Sequence, residues 1–142
     1  MSPTLQAHAE SFRSQAVWAD RLGSPFTAQL LRGLADEIGG GGALDRLLAA
    51  FPHVDPAQAV NLRVTGALHA LVLTGQAPAL EATYPQRDPD WRLERVLPQA
   101  LSALSTHESW AADFLKSAPQ TNETRRSMAL MAGFGALEEP GP

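Results

Sequence analysis

The chain has 142 residues, of which 44% are hydrophobic and 18% charged, a balance that is typical of one globular domain. It contains no cysteine, which excludes disulfides, thiolate metal ligands and cysteine nucleophiles. The net charge is −4 and the 11 basic residues are scattered, so we expect no nucleic-acid partner. No signal-peptide pattern and no apolar run of about 18 residues occurs, so we expect a cytoplasmic protein without membrane contact.

Four polar residues that each precede a proline mark predicted helix starts. Serine and aspartate side chains accept hydrogen bonds from the first N–H groups of a helix, and proline suits its first turn. The four dipeptides are Ser2-Pro3, Ser24-Pro25, Asp55-Pro56 and Asp88-Pro89. Glycines at 23, 39–42 and 75 are typical of helix ends. The glycine run lacks the Gly-Lys-Ser/Thr ending of a phosphate loop, so we interpret it as a helix connection.

Between these marks, apolar residues recur at the three- and four-residue spacing of helices. The first three predicted helices carry, in turn, Leu5, Ala9, Phe12, Ala16 and Ala19; Phe26, Leu30, Leu34 and Ile38; and Leu44, Leu47, Leu48 and Phe51. Residues 60–73 are apolar on almost every side, which predicts a helix in the middle of a bundle. Residues 76–89 contain several turn formers and predict a longer loop.

The rest of the chain is helical in pattern as well. A fifth predicted helix carries Trp91, Val96, Leu97, Leu101 and Leu104. Ser105-Thr106-His107-Glu108 has the form of a capping box and predicts the start of a short helix. A last predicted helix carries Met128, Met131 and Phe134. No segment alternates with period two, so the sequence predicts one all-α domain over residues 1–142, a bundle of about six or seven helices without significant sheet.

The titratable residues offer few candidates for catalysis. The four histidines are His8, His53, His69 and His107, and no two have the i, i+4 spacing of a helical metal site, so we predict no metal. No nucleophile elbow and no Ser/His/Asp set is apparent, so we assign no catalytic residue. His69 lies inside the most apolar helix, where a hydrogen-bonded core histidine is favoured over a base or ligand. It is the weaker candidate site residue, and burial should lower its pKa.

Residues 120–127, here called the polar block, are a dense polar run in an otherwise apolar-patterned chain. Thr121 or Asn122 is a plausible helix N-cap, which would place Glu123 in the first turn. Asn122 and Arg126 are four residues apart and would share a helix face, while Glu123 and Arg126 form an i, i+3 pair. Local physics favours a capped surface helix over a ligand site, and both interpretations stay open.

Several segments also carry a family resemblance. The polar block begins Gln120-Thr121-Asn122-Glu123 and continues to Arg126-Ser127, with Leu130 beyond. Earlier segments, in order, are Phe12-Arg13-Ser14-Gln15-Ala16, Arg21-Leu22-Gly23-Ser24-Pro25, Leu31-Arg32-Gly33-Leu34-Ala35-Asp36, Gly66-Ala67-Leu68-His69-Ala70-Leu71-Val72-Leu73 and Tyr84-Pro85. Together they resemble the bacterial domain of unknown function 2332 family across nearly the whole chain. Thr124 and Arg125 depart from the small or aliphatic residues that family has after its QTNE motif.

The resemblance implies that the chain is the N-terminal helical part of a longer protein, which continues into a Rossmann-like domain of the S-adenosylmethionine methyltransferase type. Gln120, Asn122, Glu123 and Arg126 would then face a ligand or the adjoining domain. We expect no cofactor in this chain, and S-adenosylmethionine only in a longer form. Fold similarity does not fix function, so methyl transfer stays an expectation.

Two other functions remain open. A non-catalytic helical module could bind a partner or itself through Met128, Met131 and Phe134, because methionine adapts to varied surfaces. A small stand-alone enzyme ranks last, since the sequence shows no metal set, thiol, triad or phosphate loop. The expected partners are therefore the Rossmann-like domain or a second copy that associates through the C-terminal helix.

Overall fold

The computed structural model describes residues 1–117 and shows seven α-helices and no strand in that part of the chain. They are α1 (Pro3–Arg21), α2 (Pro25–Glu37), α3 (Ala43–Leu48), α4 (Val60–Leu73), α5 (Pro78–Glu81), α6 (Leu93–Thr106) and α7 (Glu108–Ser117). The predicted all-α class is confirmed. None of these helices combines the length and the apolarity that crossing a membrane requires.

The first two helices form an antiparallel hairpin whose starts were predicted from Ser-Pro pairs. The Ser2 hydroxyl accepts a hydrogen bond from the Leu5 N–H at 3.1 Å, and the Ser24 hydroxyl accepts one from the Thr27 N–H at 3.3 Å. Gly23 turns the chain between the helices with a φ of +85°, a backbone conformation that costs glycine little. Both predicted caps are confirmed.

The two Asp-Pro pairs do not start helices, so these two predictions are wrong. Asp55 Oδ1 instead accepts a hydrogen bond from the Ala57 N–H at 2.9 Å, and Asp88 Oδ1 accepts one from the Asp90 N–H at 3.0 Å. Each aspartate therefore closes a local turn with the N–H two residues later, a use of Asp-Pro that competes with helix capping. The helices α4 and α6 begin several residues later.

Two predictions about the second half of the chain also need correction. The Ser105 capping box is wrong because α6 continues to Thr106, where burial of Ala103 and Leu104 holds its last turns against the core. Helix α7 instead begins after His107, whose carbonyl accepts a hydrogen bond from the Ala111 N–H at 2.8 Å. The predicted loop over residues 76–89 contains the short helix α5.

Helix α4 lies at the centre of the bundle, as its apolar pattern predicts. It packs against α1, α2, α5, α6 and α7. The core residues on α4 with no exposed surface are Val64, Ala67, Leu68 and Leu71. Helices α3 and α7 are joined across the surface by Arg46, whose Nε and Nη2 each lie 2.9 Å from a carboxylate oxygen of Glu108. These hydrogen bonds hold the pKa of Glu108 below its ordinary value.

Candidate functional site

Three polar residues lie on one side of the apolar helix α4. Asn61, Thr65 and His69 follow one another at four-residue spacing, which places them along one face of the helix; they are called the polar row below. Their exposed fractions are 7%, 0% and 0%. Buried polar atoms cost free energy unless they are hydrogen-bonded, so each polar atom of the row needs a partner to avoid that cost.

Asn61 is only half satisfied. Its Nδ2 donates to the Ser11 hydroxyl at 2.8 Å and to the Ser11 carbonyl at 3.2 Å, which ties α4 to α1. Among residues 1–117, no donor lies within hydrogen-bonding distance of Asn61 Oδ1, which is buried. Thr65 donates its hydroxyl hydrogen back to the main chain, 3.1 Å from the Leu62 carbonyl. The first residue of the row therefore carries a buried acceptor, Asn61 Oδ1, that has no donor among residues 1–117.

His69 is hydrogen-bonded to Tyr84, which lies beyond α5 in the chain. The distance between His69 Nδ1 and the Tyr84 hydroxyl is 2.8 Å, and the two rings meet edge to face with centroids 5.6 Å apart. Tyr84 in turn packs edge to face on Phe26, at 4.8 Å between centroids, and Phe26 packs on Trp91 at 5.1 Å. The pair thus joins α4, the α5–α6 connection and α2 in one aromatic cluster.

Both members of the pair are uncharged at neutral pH. Burial lowers the pKa of His69 to about 3, and it raises the pKa of Tyr84 above its ordinary value. If the Tyr84 hydroxyl donates to Nδ1, then Nε2 carries the ring hydrogen. If Nδ1 donates to the hydroxyl oxygen, then Nε2 is an acceptor. In either tautomer Nε2 is buried and has no partner within the described part of the chain.

A small surface cleft of ≈ 170 Å³ lies beside the pair. Its lining residues are Val72, Leu73, Glu81, Tyr84, Gln86 and Arg87. Arg87 donates from Nε and Nη2 to Glu81 Oε2 at 3.0 and 2.8 Å, so much of the charge at the rim is already paired. Ligand pockets usually enclose about 300–1,000 Å³, so this cleft is too small to hold a nucleotide-sized ligand by itself.

His8 and His107 make hydrogen bonds that serve the fold. His8 Nε2 lies 2.8 Å from the Phe51 carbonyl inside the core, and His107 Nε2 lies 3.2 Å from the Gln76 carbonyl. Within residues 1–117, no three histidine, aspartate or glutamate side chains cluster closely enough to hold a metal ion. The polar row can therefore exchange hydrogen bonds with an uncharged group, but its neutral histidine is a poor acid or base near pH 7.

The structure describes only one of the site residues that the sequence predicts. His69 is the hydrogen-bonded core histidine that its apolar surroundings favour. Gln120, Asn122, Glu123 and Arg126 lie outside the described residues, so their role stays a prediction. The same holds for Met128, Met131 and Phe134. Tyr84 was not assigned to a site by its sequence, because its pairing with His69 depends on how α5 folds. Its one signal was its place, with His69, among the segments that resemble the family.

No curated protein and no solved structure matches the sequence at a significant level. One family matches residues 9–141, and it is described as an uncharacterized protein conserved in bacteria (DUF2332). The match covers almost the whole chain, including the segments that contain His69 and Tyr84. The chain therefore belongs to the domain of unknown function 2332 family.

Proposed function

We propose that this chain is a non-catalytic helical cap that packs on a Rossmann-like, methyltransferase-type domain in a longer protein. The observation that carries the proposal is the character of the polar row: its buried side chains are uncharged, and two of its atoms have no partner among residues 1–117. Buried, uncharged groups of this kind are poorly suited to proton transfer, which supports a non-catalytic role. The expected neighbour is the one that the resemblance described under the sequence implies.

Two partly exposed aromatic side chains on α7 support a contact with an adjoining domain. Trp110 and Phe114 stand one turn apart on α7, with ring centroids 5.2 Å apart, and both are only half-buried. Large aromatic side chains that stay partly exposed are typical of surfaces that another domain covers. The described part of the helix reaches Ser117, and only two residues separate it from the polar block, so this surface and the block are close in the chain.

In the cap, Gln120, Asn122, Glu123 and Arg126 would contact a ligand or the catalytic domain. Crevices at the carboxyl ends of parallel strands are where Rossmann-like folds bind small molecules. Amide, carboxylate and guanidinium groups at the edge of such a crevice supply hydrogen bonds and charge pairing. Chemistry and the cofactor S-adenosylmethionine would belong to the other domain.

The proposal is tested by calorimetric titration of S-adenosylmethionine into this chain and into a longer protein with the same helical part. We expect heat of binding only with the longer protein and none with this chain. Micromolar affinity for the isolated chain contradicts the proposal. In the longer protein, an Arg126→Ala substitution should weaken substrate binding about tenfold or more, because hydrogen bonds to charged groups contribute about 1.5–3 kcal/mol. An unchanged affinity removes Arg126 from the ligand site.

A second candidate function, self-association, is favoured by one exposed surface. Trp18 and Leu22 lie one turn apart at the end of α1 and are 56% and 58% exposed, and the Arg21 guanidinium lies 5.2 Å from the Trp18 ring centroid. Exposed apolar groups of this size can form a dimer contact. Light scattering on the parent and on a Trp18→Ser, Leu22→Ser variant distinguishes the two functions: a dimer that the variant loses supports self-association.

A further inference from the structure

One half-buried arginine joins three parts of the chain. Arg63 lies in the first turn of α4, and its Nη1 donates to the Leu115 carbonyl of α7 at 2.8 Å. Its Nε donates to the Gln58 carbonyl, in the segment that leads into α4. A guanidinium holds five N–H donors in a fixed planar arrangement, so one side chain can keep two carbonyls in a set geometry. Arg63 therefore fixes α7 and the segment before α4 relative to one another.

That segment, residues 52–59, is called the entry segment below and runs over the surface. Residues 52–58 are all exposed, and Ala59 is half-buried. The Gln58 N–H bonds back to the Asp55 carbonyl at 2.9 Å, within the segment itself. Segments with exposed backbone hydrogen bonds and little buried apolar surface open at a low cost in free energy. The bond from Arg63 is thus a contact on which the position of the entry segment depends.

Ala59 joins the entry segment to α4 in a backbone conformation that suits glycine better. Its φ is +46° and its ψ is 51°, in the left-handed region. A side chain disfavours this region by a factor of about 5–30 in population. No side chain among residues 1–117 caps the start of α4 with a hydrogen bond. The junction is therefore strained, and the contacts around it keep it in place.

We propose that Arg63 couples the entry segment to α7, so that the two open and close as one unit. When α7 moves away from α4, the guanidinium loses the Leu115 carbonyl and is no longer fixed in position. Its bond to Gln58 then weakens, and Ala59 can leave the left-handed region. By linkage, a partner that orders either element stabilises the other by the same factor. The coupling is a property of this chain and does not rest on the cap function.

Native-state hydrogen exchange, followed by NMR, tests the coupling with an Arg63→Met variant. Methionine keeps most of the apolar stem but cannot donate to either carbonyl. We expect the protection factors of the amides of residues 58–59 and 112–115 to fall at least about fivefold, because hydrogen bonds from charged groups are lost. The amides of residues 30–34 in α2 serve as the reference and should not change. A fall in only one of the two groups, or an equal fall in α2, contradicts the proposal.

An Ala59→Gly variant tests the same coupling from the other end and does not weaken the fold. Glycine relieves the strain, so protection should rise about threefold in the entry segment and, through Arg63, in α7. In the Arg63→Met background the same substitution should raise protection in the entry segment alone. An Arg13→Met variant, which removes an exposed arginine from the α1–α2 hairpin, should change neither group. A rise confined to the entry segment while Arg63 is present would overturn the proposal, as would a change in both groups on Arg13→Met.

Discussion

The α1–α2 hairpin and the α4–Tyr84 region satisfy the hydrogen bonds of their polar groups in different ways. In the hairpin, polar groups are satisfied locally or at the surface: the two serine caps bond within one turn, and Arg32 reaches Asp20 at 2.7 Å with both side chains about half exposed. In the second region, polar groups lie inside the core and find partners far along the chain. The contrast is between polar groups that are satisfied within the hairpin and, in the second region, two buried atoms that have no partner among residues 1–117.

Because its polar groups are buried, the α4–Tyr84 region should lose more stability than the hairpin when one partner is removed. His69 and Tyr84 are fifteen residues apart in sequence, and Asn61 and Ser11 are fifty apart, so both contacts require the complete fold. Removing one partner of a buried pair leaves the other unsatisfied, which costs about 1–3 kcal/mol, whereas exposed pairs contribute about 0.2–1 kcal/mol. The predictions below test whether this difference between the regions holds.

The largest expected effect is a loss of stability on acidification that comes from His69. Because burial lowers its folded pKa to about 3 from 6.5, the unfolded chain binds the extra proton below pH 6.5. This part of the stability is present above pH 6.5 and is lost as the pH falls toward 3, by about 1.4 kcal/mol per pH unit at most. Urea unfolding from pH 7 to pH 4 measures it.

A His69→Gln variant is the control for that experiment. Carboxylates with a lowered pKa, such as Glu108, also lose stabilisation as the pH falls, but they do so in both proteins. The difference in pH dependence between parent and variant therefore reports His69. Parallel curves for the two proteins would show that His69 does not resist protonation.

The next effect comes from the hydroxyl of Tyr84. A Tyr84→Phe substitution keeps the ring packed on Phe26 but removes the partner of His69 Nδ1, so we expect the free energy of unfolding to fall by about 1–3 kcal/mol. Repeating the change in a His69→Leu background should nearly abolish the cost. A loss that is equal in both backgrounds means that the hydroxyl acts through another group.

Substitutions in a Ser-Pro pair and in an Asp-Pro pair should differ by a smaller amount in their effect on the free energy of unfolding. Ser24→Ala removes a helix cap and should cost about 1 kcal/mol. Asp55→Ala removes only an exposed turn contact and should stay within about 0.5 kcal/mol. Chemical unfolding of both variants gives the comparison, and an Asp55→Ala cost as large as that of Ser24→Ala would show that this turn is also needed to start α4.

The smallest effect is expected at the hairpin surface. Arg13 Nη2 lies 3.2 Å from Asp36 Oδ1, and both side chains are more than half exposed. A double-mutant cycle between Arg13→Ala and Asp36→Ala should give a coupling of about 0.2–1 kcal/mol that declines with added salt. A coupling as large as that between His69 and Tyr84 would remove the distinction between the two regions.

The sequence predicted the features that repeat locally and missed those that depend on distant packing. The bounds of α4 follow from its apolar residues, and Ser2 and Ser24 cap as expected, because the evidence for each lies within one or two turns. Asp55 and Asp88 close local turns instead, since Asp-Pro suits both structures. The predicted cap at Ser105 does not form, because burial of Leu104 keeps this turn within α6. Tyr84 could not be assigned to His69, because no periodicity relates a loop residue to a helix face.

The most direct test of the account is the ¹⁵N NMR spectrum of the His69 imidazole between pH 8 and pH 4. A core pair that is uncharged and closed to water predicts one neutral tautomer throughout, with the Nδ1 shift of a hydrogen-bonded nitrogen that a Tyr84→Phe substitution alters. Protonation of His69 near pH 6.5, as in an unfolded chain, would contradict the claim that α4 holds a buried neutral polar row.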